Sequence, residues 1–301
     1  MQIFIDKKWR RLILVATAVF LLTAAGCGDS DTDGDDGADV PVVPPAYTFI
    51  PNFGEIVNAE SAVSADKTLA DPMIKRQPKA DSAISIQAGC IIDNYAHASL
   101  NVGFWNLALT VTLAVPAGSF AEAFNHDPVL QKDGSWVWSY SVTILSVLHT
   151  AELHGSLVDG EVLWDMYITK EGFYEDFLWY YGVSNLPATT GTWTIKKSPE
   201  ENVDWLGIEW SREASDETWQ VQYMNIQAGD DNEGGFIEYG VIDDDTYDAF
   251  YDIYNALNEN LVEIDASRTS NDGRVRNPIR FGDEDWHYWD GNHCDSVAPA
   301  S

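Results

Sequence analysis

The sequence predicts a mainly β domain of α+β class. The expected architecture is an antiparallel meander of roughly 8–10 strands, forming a barrel or curved half-barrel around a buried N-terminal helix. Three observations carry this expectation. Large apolar residues alternate with polar ones at period two over most of residues 136–223. Turn signals separate the alternating runs, with no helical pattern between them. One segment ahead of them is apolar nearly all round and does not alternate.

Trp136, Trp138 and Tyr140 fall on one face of the first run, because side chains in a strand alternate sides. Val162, Trp164, Met166 and Ile168 share a face in the next. Phe177, Trp179, Tyr181 and Val183 do so after that, then Trp193 with Ile195. Leu206, Ile208 and Trp210 follow, and then Trp219, Val221 and Tyr223. Asp159-Gly160, Gly172, residues 185–191, residues 198–202 and residues 229–235 supply the turns. Strands joined this directly pair antiparallel.

Leu100 to Val115 is the non-alternating segment; its length suits a buried helix ending before Pro116. Thr110, Val111 and Thr112 are β-branched and argue the other way. A short second helix is expected over Ala117–Phe124, with Phe120, Ala123 and Phe124 on one side. Residues 55–99 are mixed, and Cys90-Ile91-Ile92 fits a strand or a turn. Residues 246–258 fit a helix face through Tyr247, Phe250, Tyr251, Tyr254 and Leu257. They also alternate through Tyr247, Ala249, Tyr251 and Ile253. An internal echo favours the strand: Ile208-Glu209-Trp210-Ser211-Arg212 parallels Ile264-Asp265-Ala266-Ser267-Arg268, so residues 246–268 read as a hairpin. A long meander has two edges to close or cover. Packing its inner face on the 100–115 helix is the expected solution.

The first 26 residues have a basic head (Lys7, Lys8, Arg10, Arg11), an apolar run over residues 12–22 and a small-residue exit, Thr23-Ala24-Ala25-Gly26. That is the layout of a secretory signal peptide, and the run is short for a membrane span. Ala24-Ala25-Gly26-Cys27 resembles the lipobox of bacterial lipoproteins, with Ala24 where Leu is commoner. The resemblance implies cleavage before Cys27 and a lipid thioether on its sulfur. Each buried CH₂ of the acyl chains then contributes about 0.8 kcal/mol of anchoring. Gly28, rather than Asp, follows the Cys, which points to the outer membrane and leaves the face open. Asp29, Asp31 and Asp33-Gly34 imitate the start of a calcium loop, but its twelfth position is Val40 rather than a carboxylate. Residues 27–46, acidic and then Pro-rich, read as an extended tether, and residues 47–301 as one β-rich domain.

The formal charge is −31. Losing residues 1–26 removes four basic residues and one acidic, leaving 13 against 47 and a net −34. Such a surface repels phosphate backbones and argues against nucleic acid as a partner. With Cys27 acylated, Cys90 and Cys294 remain as a candidate disulfide in an oxidising space. Two unpaired thiols are the alternative.

The tail, residues 273–295, is the densest polar-aromatic cluster. Asp283, Asp285, His287 and His293 are candidate metal ligands, or acid and base for a hydrolase. In the plainer reading the aromatics plug one end of the barrel and the acids face water. Trp205, which opposes the Leu206 face, and Trp286 and Trp289 are candidate ligand-binding aromatics, since an indole face takes a sugar's C–H groups. Asn125-His126-Asp127 suits a helix C-terminus. His149 and His154 are placed on separate strand ends. Nucleophile elbows, His-Glu-x-x-His and phosphate-cradling glycine loops are absent from the sequence. Gly273-Arg274-Val275, Phe281-Gly282-Asp283, Asp285-Trp286-His287 and Trp289-Asp290 resemble the tails of uncharacterised bacterial lipoproteins, a likeness spanning roughly residues 100–294 that implies no activity.

Three functional expectations follow. The first is a non-catalytic lipoprotein, held to a bilayer through acylated Cys27, that binds an apolar or glycan ligand without a cofactor. The second is an envelope structural or interaction protein. The third is a hydrolase built on the 283–293 cluster.

Overall fold

The computed structural model describes residues 40–50, 90–215 and 217–297, and a compact unit spans Asp39–Ser301. The signal segment, Cys27 and the calcium-like stretch lie outside the described residues. A 3₁₀ turn, Ala46–Thr48, precedes helices α1 (Asp93–Thr112) and α2 (Ala114–Ala123). Fourteen strands follow: β1 (Val129–Leu130), β2 (Trp136–Ile144), β3 (Val147–Val158), β4 (Glu161–Lys170), β5 (Tyr174–Asn185), β6 (Thr190–Lys196) and β7 (Asp204–Arg212), then β8 (Trp219–Asn225), β9 (Phe236–Val241), β10 (Ala249–Asn255), β11 (Asn260–Ala266) and β12 (Gly273–Arg276), and, after the short helix α3 (Pro278–Phe281), β13 (His287–Trp289) and β14 (Asp295–Ser296). They form one sheet in strict sequence order, every neighbour antiparallel and the ends unjoined, as in a curved half-barrel.

The alternation in the sequence becomes the two faces of this sheet. Trp138, Tyr140, Trp164, Met166, Ile168, Trp193, Ile195, Ile208, Trp210, Val221 and Tyr223 are all buried. The second internal echo is a hairpin, with Ile253 opposite Val262 and Tyr251 opposite Ile264. β5 departs from expectation. Tyr180 is its fully buried aromatic, while Phe177, Trp179, Tyr181 and Val183 are half-exposed. Aromatics stand on both sides of this strand, and register shifts between Met166/Tyr167 and Ile168/Lys170 reset which side faces in.

The helices also differ. α1 starts at Asp93, and the chain bends by 76° between it and α2. Pro116 falls in the first turn of α2, where its missing N–H leaves no bond unmade, so it does not end a helix. α1 is buried along one side only, through Ala98, Val102 and Leu109, while Leu100, Phe104, Leu107 and Val111 are 64–72% exposed. It packs on β12–β14, and α2 on β2 and β3, so the pair covers both ends of the open sheet.

The middle of the inner face is filled from elsewhere. Phe49 is fully buried, with its ring 4.5 Å from Tyr180, 5.1 Å from Phe120 of α2 and 5.7 Å from Trp193. Tyr223 donates its hydroxyl to the Phe49 carbonyl at 3.3 Å. Pro41 and Pro44 are buried too, so the Pro-rich stretch read as tether belongs to the folded body from residue 40 onward.

Cys90 and Cys294 form a disulfide. Beside it the Asp295 carboxylate accepts from the Asn94 backbone N–H at 3.0 Å, and the Asp295 N–H donates to Ile91 at 2.6 Å. A carboxylate from the last strand thus caps the first turn of α1 and meets the positive end of its dipole.

Candidate functional site

The tail cluster resolves into structural contacts. Arg274 lies opposite Asp265, and Arg276 opposite Glu263. Both carboxylates are buried, at 5% and 8% exposure. Arg274 donates to Asp265 from Nε at 2.9 Å and from Nη2 at 2.7 Å, and Arg276 pairs with Glu263. Trp286 covers the guanidiniums of both arginines, 4.1 Å and 4.8 Å from its ring centre. Trp289 is 3% exposed and donates its indole N–H to the Asn271 carbonyl, so it belongs to the core rather than to a ligand face. Trp205 is half-buried against the core, and its carbonyl accepts from Ile226.

Of the four candidate metal ligands, the side chains of Asp283 and His287 meet, but the four do not converge on one point. Asp283 accepts from His287 Nε2 at 3.0 Å and from the Asp285 backbone N–H at 3.1 Å. The His287 imidazole bonding lowers the Asp283 pKa. His287 stacks on Phe281 at 3.8 Å, whereas His293 stacks on Tyr95 of α1, also at 3.8 Å. Among the described residues no group of three or more His, Cys, Asp or Glu side chains could hold a metal ion. His126 pairs with Glu122 at 3.1 Å and stacks on Tyr140 at the end of α2. His149 and His154 share one strand, β3, and His149 is buried.

A site appears where sequence reading marked none, on β2–β5. Register stacks the polar side chains of β2, β3 and β4 in rows: Ser139, Glu152 and Tyr167 in one, Ser141, Thr150 and Thr169 in the next. With Asp176 of β5 they line an open depression of about 350 Å³. Glu152 accepts from Ser139 at 3.4 Å and meets His154 Nε2 at 3.3 Å. The His154 ring stands edge-on to Tyr167 at 5.2 Å. Thr169 donates to Asp176 at 3.2 Å, while its own oxygen accepts from the Asp176 N–H at 2.8 Å. Burial, then Asp165, raises the Tyr167 pKa, so its hydroxyl stays protonated and can donate.

Asp176 is flanked by a patch of half-exposed aromatics. Tyr174, Phe177 and Trp179 stand edge-to-face, with ring centres 5.5–6.3 Å apart. Lys170 lies 4.1 Å over the ring of Phe173, which is 77% exposed. Burial and then Glu200 push the Tyr174 phenol up to about 12. The sequence signal was available as Ser139, Ser141, Thr150 and Thr169, the polar partners of the inward aromatics, but only register places them side by side.

The fold and this site define a class: an open antiparallel half-barrel with a packed inner face and a hydroxyl- and carboxylate-lined depression on its strands. No protein-family model matches the chain, and no curated protein or solved structure does either.

Proposed function

We propose that the chain is an exported lipoprotein, anchored through acylated Cys27 at the outer membrane, whose body binds a glycan on the face of β2–β5 without catalysing a reaction. One observation carries the ligand class. The depression combines hydroxyls, two carboxylates and a tyrosine ring, with further aromatic rings beside it. Sugar hydroxyls pair with the first two, and sugar C–H faces pack on the rings. An apolar ligand has less support, because Phe49, Phe120, Tyr180 and Trp193 occupy the inner face.

The test is calorimetric titration with soluble oligosaccharides built on glucose, galactose and N-acetylglucosamine. Saturable binding is expected for at least one of them, weakened tenfold or more by Tyr167→Ala and unchanged by Trp286→Ala. Absence of binding across the panel, or full retention in Tyr167→Ala, would refute the site. The anchor is read separately, from incorporation of a palmitate analogue that Cys27→Ser abolishes.

A further inference from the structure

We infer that the outward flank of α1 is a lipid-contact surface, seated in the interfacial layer of the bilayer to which Cys27 is tied. This rests on the anchor reading above and concerns a different part of the molecule from the glycan site. Leu100, Phe104, Leu107 and Val111 recur at helical spacing on one side of α1, and all four are exposed. Residues 94–121 contain no Asp, Glu, Lys or Arg, in a chain whose formal charge is −31. The flank is therefore an apolar island in an acidic surface, with nothing to offer a partner that recognises charge.

Two further observations choose the occupant. The chain joins the body at Pro41, which lies where a side chain on Gly155 would meet it together with Trp138 and Trp164. That is the inner side of the sheet, the side on which α1 and α2 also pack. The stretch from Cys27 to Val40 spans at most about 45 Å when fully extended, so a lipid on Cys27 keeps the bilayer within reach of this side. A second copy is the rival occupant, but one helix flank is small against the roughly 800 Å² per partner that a stable dimer buries.

The geometry also sets how α1 meets lipid. No single helix among the described residues is long and apolar enough to cross a membrane, and α2, beyond the 76° bend, is largely buried in the core. α1 therefore lies along the interface, its outer side chains reaching about 5–10 Å in. With no basic residue between 94 and 121, contact depends on apolar area rather than on anionic headgroups.

The experiment places a nitroxide at Leu107→Cys, and separately at Phe104→Cys, in the full-length chain on phosphatidylcholine vesicles. Collision rates with oxygen and with a neutral water-soluble nickel complex are then compared. Oxygen is expected to dominate severalfold at both positions, and nickel at the control Leu257→Cys in the β10–β11 turn. Nickel dominance at 104 or 107 means water, and suppression of both reagents means a protein neighbour such as a second copy; either overturns the proposal. Intact mass reports the lipid on Cys27 independently. An unlipidated chain with oxygen dominance rejects the anchor and keeps the surface; one left wholly in the supernatant rejects both.

Discussion

Glycines on the inner face are matched one-to-one with indoles. Gly155 lies opposite Trp164, Gly182 opposite Trp193, Gly191 opposite Trp210, and Gly273 opposite Trp289. The missing side chain lets each ring lie across the neighbouring strand, which allows a narrow half-barrel to hold so many large rings. A Cβ on Gly191 would sit 2.5 Å from the Trp210 ring and 2.6 Å from the Val183 carbonyl. Gly191→Ala should therefore destabilise the body by about 1–3 kcal/mol, read from the urea midpoint. Gly103→Ala, on α1 with nothing within 4 Å, should instead stabilise by about 1 kcal/mol. Equal effects of the two would show that the glycine–indole pairs do not control packing.

At the scale of elements, hairpins set the meander and not all are relaxed. Asp159 and Gly160 take positive φ, 52° and 87°, in the turn their sequence signals. The β2–β3 turn uses the same left-handed geometry without glycine, at Leu145 (φ 49°) and Ser146 (φ 64°). That strain costs roughly 1 kcal/mol per residue. Ser146→Gly should raise the melting temperature by a few degrees and leave the fold unchanged. A lowered melting temperature would mean that Ser146 makes a compensating contact. The turn escaped sequence reading because Leu-Ser carries no turn chemistry; here two well-paired strands impose the conformation.

Over the whole molecule, closure depends on tying the last strand to the first helix. The Cys90–Cys294 link spans a sequence separation of 204, and a loop of that length is worth up to about 5 kcal/mol in chain-entropy terms. Cys90→Ser should lower the denaturation midpoint substantially and loosen α1 and β14 first, visible as faster amide exchange near Asn94. An unchanged midpoint would place the closing energy in the sheet alone. Stability should also respond to pH through buried and half-buried imidazoles. His97 and His149 are held below their ordinary 6.5, mainly by burial and then by Arg280 at His97 and Lys170 at His149. Burial also lowers His293, although Asp290 opposes it. The fold disfavours the charged form of each, so below 6.5 the unfolded chain takes up protons first. This contribution is complete above that pH and is lost as pH falls. Relief of acidic repulsion works the other way. The clean observable is therefore the stability gap between wild type and His97→Gln, which should narrow from pH 7.5 to 5.5. A gap that widens would refute this reading of His97.

The sequence by itself determined the β class, the meander order and most inward aromatics, and offered Cys90 and Cys294 only as a candidate pair. Period-two alternation and turn residues are local properties, whereas which of three cysteines pair is a matter of their spacing in the fold. Tertiary structure alone decided the rest. A segment apolar on every side, such as residues 100–115, carries no mark of which flank is covered. That depended on Phe49 and Phe120 taking the inner space first. β5 has aromatics on both faces, so its orientation waited on two register shifts. The β2–β5 depression exists only because cross-strand register sets residues distant in sequence side by side, a relation no single strand contains.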